Sequence, residues 1–359
     1  MWQVLMLLPA LQPWARLGAP SPAPRLVSRT RVSAHPVCVG ATRGAAATMS
    51  TAGSVNDAIA KADDSKTILG TVAEQGDRLT PVNIATALHR IGRIEKRRRA
   101  SREIILRDKR FELLLDQTVA KSAEFSPRAV TDVLWSCATL HHWPPLLLKP
   151  VLTRVAAHLD AAAFEPHHLS ILSWSFGTLG CKPVKLLEKL EALAAPRVGE
   201  MSPQNCANLL WGFAKLRQPA DTLVPALAAS LKSSGLIASF KPVEAADLAY
   251  GLGMLADAET AGPLLAELSG RARATDALES FSSRHLVTLL WGFARFGIQP
   301  PHGALDEWAA QIRQAHAVQP MLRTDQKNLA RSLERLGHEE MVASVLGGGE
   351  GSEEASMIC

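Results

Sequence analysis

The sequence predicts an all-α fold: a right-handed α-solenoid of about six to seven antiparallel helix-pair repeats, each 37–41 residues long. Three observations carry that expectation. The run Leu209-Leu210-Trp211-Gly212-Phe213-Ala214 returns as Leu289-Leu290-Trp291-Gly292-Phe293-Ala294, with looser copies around Trp135, Trp174 and Tyr250. Steps between these anchors are 39, 37, 39 and 41 residues, and His89 and Arg331 occupy the same slot in two weaker copies. A fixed period of this size marks stacked units, none of which can bury its apolar face alone. The composition agrees, since a chain 47% hydrophobic with a single Tyr and nine Phe favours helix over sheet. Proline punctuation is the third observation: Thr80-Pro81, Ser126-Pro127 and Ser202-Pro203 each read as an N-cap followed by an N1 proline.

Residues 1–56 hold five Arg and no acid, with Ser, Thr and Ala abundant, which reads as a disordered organellar presequence. Its apolar start, Met1 to Leu8, followed by an Arg/Ser segment, resembles the bipartite presequences of algae with complex plastids. A plastid is therefore expected before a mitochondrion. Pro9 and the shortness of the apolar run argue against a membrane span. Residues 57–77 read as a linker or partial cap. The array occupies 78–340, with repeats near 80–124, 125–163, 164–201, 202–239, 240–280, 281–320 and 321–346, and an acidic disordered tail fills 347–359.

Within a repeat, counting starts at Pro81, Pro127, Pro166, Pro203, Pro242, Ser283 and Arg323. About a dozen residues on, Gly92, Gly180, Gly297 and Gly337 are expected to stop the first helix. Later prolines open a second helix, as over Leu146–Leu159, Pro183–Ala195 and Ala304–Ala315. On a helical wheel, slots +3, +4, +6, +7, +8, +10 and +11 form an apolar arc of about 200°. The anchor aromatic at +8 is thus expected to pack between repeats, beside a small residue at +9.

Slots +2, +5, +9 and +12 complete the wheel. Slot +2 holds Asn83, Ala129, His168, Asn205, Glu244, His285 and Asp325; slot +5 holds Thr86, Asp132, Ile171, Asn208, Asp247, Thr288 and Asn328. Lys215 and Arg295 stand at +12. A merely solvated face would favour Lys and Glu over Asn, Asp and Thr, which are poor mid-helix residues. Short hydrogen-bonding side chains that change from repeat to repeat suit one-base-per-repeat reading of Watson–Crick edges, with the basic groups meeting phosphate.

The net charge of +5 vanishes once the five arginines of 1–56 are set aside, leaving 34 basic and 34 acidic residues. Residues 90–110, where the first repeat's second helix is expected, nevertheless carry ten basic residues against three acids. Arg97, Arg98, Arg99 and Arg102 are its candidate phosphate contacts. Neither His141-His142 nor His167-His168 has a carboxylate or thiol at ligand spacing, and the five Cys form no paired motif. No phosphate loop, nucleophile elbow or His-Glu-x-x-His is present. No metal, cofactor, small-molecule substrate or enzymatic activity is expected.

The helix pair, the step near 38 residues and the Leu-Leu-Trp-Gly-Phe-Ala-Lys-Leu run at 209–216 together resemble the octotricopeptide repeat family. They are also similar to the leucine-rich repeats of FAST-kinase-type organellar proteins. The resemblance covers about residues 78–340, best at Trp135, Trp174, Trp211 and Trp291. It implies sequence-selective binding of single-stranded organellar RNA that promotes transcript processing, stability or translation, with RNA-processing or ribosome-associated proteins as further partners. Only Gly347-Gly348-Gly349 and an acidic tail follow Leu346, so no nuclease-like RAP module is expected. The alternative is a HEAT- or armadillo-like protein scaffold, which the period and the neutral body suit as well.

Overall fold

A computed structural model describes residues 54–272 and 278–346. The presequence reading of 1–53 and the tail reading of 347–359 lie outside the described residues. Those that are described fold into helices joined by short turns, with no strand among them. After α1 (54–61) come α2 (Ser65–Gln75), α3 (Pro81–Glu95), α4 (Arg99–Leu106), α5 (Lys109–Ala120), α6 (Pro127–Leu140) and α7 (Pro145–Asp160). The chain continues through α8 (Pro166–Leu179), α9 (Val184–Ala194), α10 (Pro203–Leu216), α11 (Leu223–Ser234), α12 (Pro242–Leu255) and α13 (Ala258–Arg271). It closes with α14 (Ser283–Phe296), α15 (Ala304–Val318), α16 (Arg323–Arg335) and α17 (Glu340–Leu346).

Contacts run in chain order, as an all-α solenoid requires. The first helices α3, α6, α8, α10, α12, α14 and α16 pack each on the next and form one layer. Second helices α5, α7, α9, α11 and α13 pack in the same order behind them. Four first helices start where the preceding residue caps them: Thr80, Ser126, Ser202 and Ser282 accept from the N3 backbone N–H. One position earlier stands a repeated apolar residue with no counterpart in the sequence reading. Leu79, Phe125, Phe164, Met201, Phe240 and Phe281 are all buried and staple the chain to the core as each first helix begins.

Close approach within the first-helix layer depends on small residues. A Cβ on Gly212 would lie 2.3 Å from the Ser173 carbonyl oxygen, and Ser173 Oγ donates to the Leu209 carbonyl at 2.8 Å. Gly180 and Gly297 stop α8 and α14 in the left-handed conformation, whereas His141 and Arg217 take it at the ends of α6 and α10.

Two expectations need correction. Gly92 does not end a helix; it sits inside α3, and a Cβ there would meet the Trp135 ring at 3.2 Å. The basic stretch 90–110 is not the first repeat's second helix either. It runs from the end of α3 through an inserted α4 to the start of α5, and α5 is the helix that packs on α7. Residues 57–77 are largely helical and cap the array, burying Ile59, Ile68, Leu69 and Val72. Ser65 donates to the buried Glu95 at 2.6 Å, and Arg90 donates to the Ala62 carbonyl at 2.6 Å. Among the described residues no helix is long and apolar enough to cross a membrane.

Candidate nucleic-acid interface

The solvent-facing stripe of the first helices is made of slots +1, +5, +8 and +12. They fall within about 60° of one another on a wheel of 100° per residue. Slot +1 is exposed in every repeat: Val82, Arg128, His167, Gln204, Val243, Arg284 and Thr324. Slot +5 is half-buried from Thr86 to Thr288 and exposed at Asn328. The anchors His89, Trp135, Trp174, Trp211, Tyr250 and Trp291 are half-buried too, and Arg331 is exposed.

The Trp135, Trp211 and Trp291 rings lie against the preceding first helix over slot +11, which holds Gly in those three cases and Gly or Ala from Gly92 to Ala294. Cβ atoms added at Gly177 and Gly253 would meet Trp211 and Trp291 at 3.1 and 2.6 Å. Rings on successive helices touch, His89 with Trp135 at 4.8 Å and Tyr250 with Trp291 at 5.5 Å between centroids, the latter stacked. Equivalent side chains therefore align from helix to helix. The expectation that the anchors pack between repeats is met for Trp135, Trp211, Tyr250 and Trp291, and their half-buried rings also contribute to the stripe. Lys215 stands over the Trp211 ring at 5.8 Å.

Slot +2 lies elsewhere. It is the N3 position of each helix, and its polar side chains turn back to cap the start. Asn83 Oδ1 accepts the Thr80 N–H at 3.0 Å, and His168 Nδ1 accepts that of Glu165 at 3.2 Å. Glu244 Oε2 accepts from Lys241 at 2.9 Å, and His285 Nδ1 from Ser282 at 3.3 Å. Asn83, His168 and Glu244 are buried, whereas Asn205, His285 and Asp325 are half-buried. Helix-start chemistry thus accounts for Asn83, His168, Glu244 and His285 without a ligand. Slot +9 is buried as well wherever it holds Ser or Gly, from Ser136 to Ser332.

Charges on the stripe interact across repeats. Asp132 on α6 feels His89 on α3, Arg128 on its own helix and His167 on α8; burial outweighs these cations and raises its carboxyl above the usual range. Arg128 Nε lies 3.8 Å away, on a side chain 85% exposed. Burial lowers His89, with Asp132 opposing and Arg93, Arg128 and Arg90 adding to the fall. Asp247 on α12 is pushed up to about 6 by burial and, further, by Glu244, while Arg284 on α14 pulls the other way. His168 is pushed down to about 4, first by burial and then by His167.

The remaining predicted residues divide. Lys215 and Arg295 are exposed at +12, along with Arg93 and Arg335, but Thr139 in the same slot is buried. Arg97, Arg98 and Arg99 are exposed just past the end of α3, one turn beyond Arg93, and Arg102 is half-buried on α4. Arg99 pairs with Glu103 at 3.4 Å on the surface. Sequence reasoning missed slot +1, and with it Arg128, His167 and Arg284. Among the described residues no cluster of three His, Cys, Asp or Glu could hold a metal.

No family profile matches the chain. It is similar to a chloroplastic RAP domain-containing protein of Oryza sativa subsp. japonica, 29% identical over 154 residues. The matched stretch is 42% of this chain and 24% of that relative, so the similarity spans about a quarter of the relative's length.

Proposed function

We propose that this chain is an organellar RNA-binding repeat protein that holds single-stranded transcripts along the exposed stripe of its first helices and promotes their processing, stability or translation. The observation that carries the proposal is the alignment of half-exposed rings at +8 with hydrogen-bonding groups at +5 and cations at +12. Unstacked bases stack on aromatic faces in a sequence-tolerant way, contributing roughly 1–3 kcal/mol per base. Groups one turn away can then meet base edges, and arginines can meet phosphates. The exposed arginines that follow α3 extend the stripe and supply the salt-dependent attraction that a neutral array lacks. Similarity to a chloroplastic protein supports a plastid location, with the mitochondrion as the other organelle that the N-terminal composition allows.

Binding, not chemistry, is the activity proposed. A protein scaffold would present a broad apolar groove, whereas the large apolar side chains exposed here are scattered over α3, α4, α7, α9, α12, α15 and the turn before α16. The test is a titration of the full chain with one labelled RNA, single-stranded and as duplex, at several salt concentrations. Single-stranded RNA should bind tighter and quench tryptophan emission. Replacing Arg97, Arg98 and Arg99 by Ser should weaken binding of every sequence and reduce the salt slope by about 0.7 for each phosphate no longer neutralised. Equal affinity for the duplex, or no binding, would contradict the proposal.

A further inference from the structure

Slot +5 carries a carboxylate in two repeats, Asp132 on α6 and Asp247 on α12, three repeats apart. Each lies one helical turn before an anchor ring, Trp135 or Tyr250, on the same face of its helix. In both places the anchor touches a ring from an adjacent helix, His89 against Trp135 and Trp291 against Tyr250. Among the described residues neither carboxylate accepts a hydrogen bond, and the nearest cation is Arg128 Nε, 3.8 Å from Asp132. Burial already disfavours the ionised form of both. Each is therefore partly stripped of water while its acceptor oxygens remain without a donor, and a ligand that supplies donors relieves that cost.

Watson–Crick edges differ in what they offer a carboxylate. Two parallel acceptors match two adjacent donors, and guanine alone presents these, at N1–H and the N2 amino group. Adenine, cytosine and uracil each set at least one acceptor lone pair against the carboxylate. Resting on the reading above, with one nucleotide to each repeat, we infer that Asp132 and Asp247 each select a guanine, so that the bound RNA carries two guanines separated by two nucleotides. Of the intervening +5 residues, Ile171 has no hydrogen-bonding group and leaves its nucleotide free, while Asn208 accepts more than one base by presenting both a donor and an acceptor.

The experiment selects RNA from a random single-stranded pool with the full chain and with Asp132→Asn and Asp247→Asn, after matched melting curves establish folding. The parent should enrich guanine at two positions with two others between. Each variant should lose enrichment at one of these positions and keep it at the other. In a selected RNA, inosine in place of one guanine removes a single donor; it should weaken parent binding about tenfold and leave the matching variant unaffected. A pool retained without paired guanines, or variants that lose both positions together, overturns this inference alone. A chain that retains no RNA overturns the binding proposal as well.

Discussion

The two helix layers solve the same packing problem with different residues. First helices approach one another over Gly177, Gly212, Gly251 and Gly253, where an added Cβ would clash with the neighbouring helix. Second helices bury large side chains, among them Leu187, Leu190, Leu227, Leu231, Leu264 and Leu268, and they tolerate Pro150 and Pro263 inside α7 and α13. Gly270 on α13 has nothing within 4 Å of its added Cβ. The first layer therefore sets the spacing of the repeats and of the stripe they carry. The second layer supplies bulk apolar burial and is freer to vary.

That contrast can be broken most severely through tryptophan. Trp308, on the α15 helix that packs against α14 and α17, is fully buried against Phe293, so Trp308→Ala should cost about 3–5 kcal/mol. Trp211 is partly exposed, and Trp211→Ala should cost less than Trp308→Ala, by the area it keeps in contact with water, while weakening RNA binding. Denaturation midpoints of the two variants decide the matter, and equal losses would place Trp211 in the core. Gly212→Ala comes next, at about 3 kcal/mol, because its Cβ would overlap Ser173. In the second layer Gly270→Ala should be neutral or stabilise by up to roughly 1 kcal/mol. Equal melting shifts for the two glycines would erase the difference between layers.

The last effect is electrostatic and depends on pH. Folding raises the Asp247 carboxyl from 3.8 to about 6, so the folded state favours its protonated form. Stability from this group is complete below pH 3.8 and is lost as pH rises through about 6. Asp247→Asn should therefore melt higher than the parent at pH 7.5, by about 1–2 kcal/mol, with the gap closing near pH 4. A gap independent of pH would contradict the assignment. His168 works in the opposite sense: its folded value near 4 lies below 6.5, so its contribution is present above pH 6.5 and is lost as pH falls through about 4.

Helix starts were legible because capping is local: a Ser or Thr, a proline and an apolar run lie within a few residues of one another at Pro81, Pro127 and Pro203. The same local chemistry misled the reading of slot +2. Asn83, Glu244, His168 and His285 look like a variable reading stripe until each is seen to bond the backbone three residues earlier. The inserted α4 was hidden because its Arg-rich start has little apolar periodicity, with only Ile104, Ile105 and Leu106 to show it. The stripe itself was misplaced by one slot at each edge. An average over a wide apolar arc assigns +8 to the interior, although its angle puts it at the border with +1, +5 and +12. The small residues at +11, from Gly92 to Ala294, are the signal that could have found the seat of each ring, because a large ring packed between helices needs a small neighbour.

The placement of RNA on the first-helix stripe is tested most directly by ultraviolet crosslinking of a bound single-stranded RNA to the full chain, with the linked residues mapped by mass spectrometry. Crosslinks should fall on Trp135, Trp174, Trp211, Tyr250 and Trp291 and on the slots beside them. Crosslinks confined to α7, α9, α11 and α13, with the stripe untouched, would contradict the account.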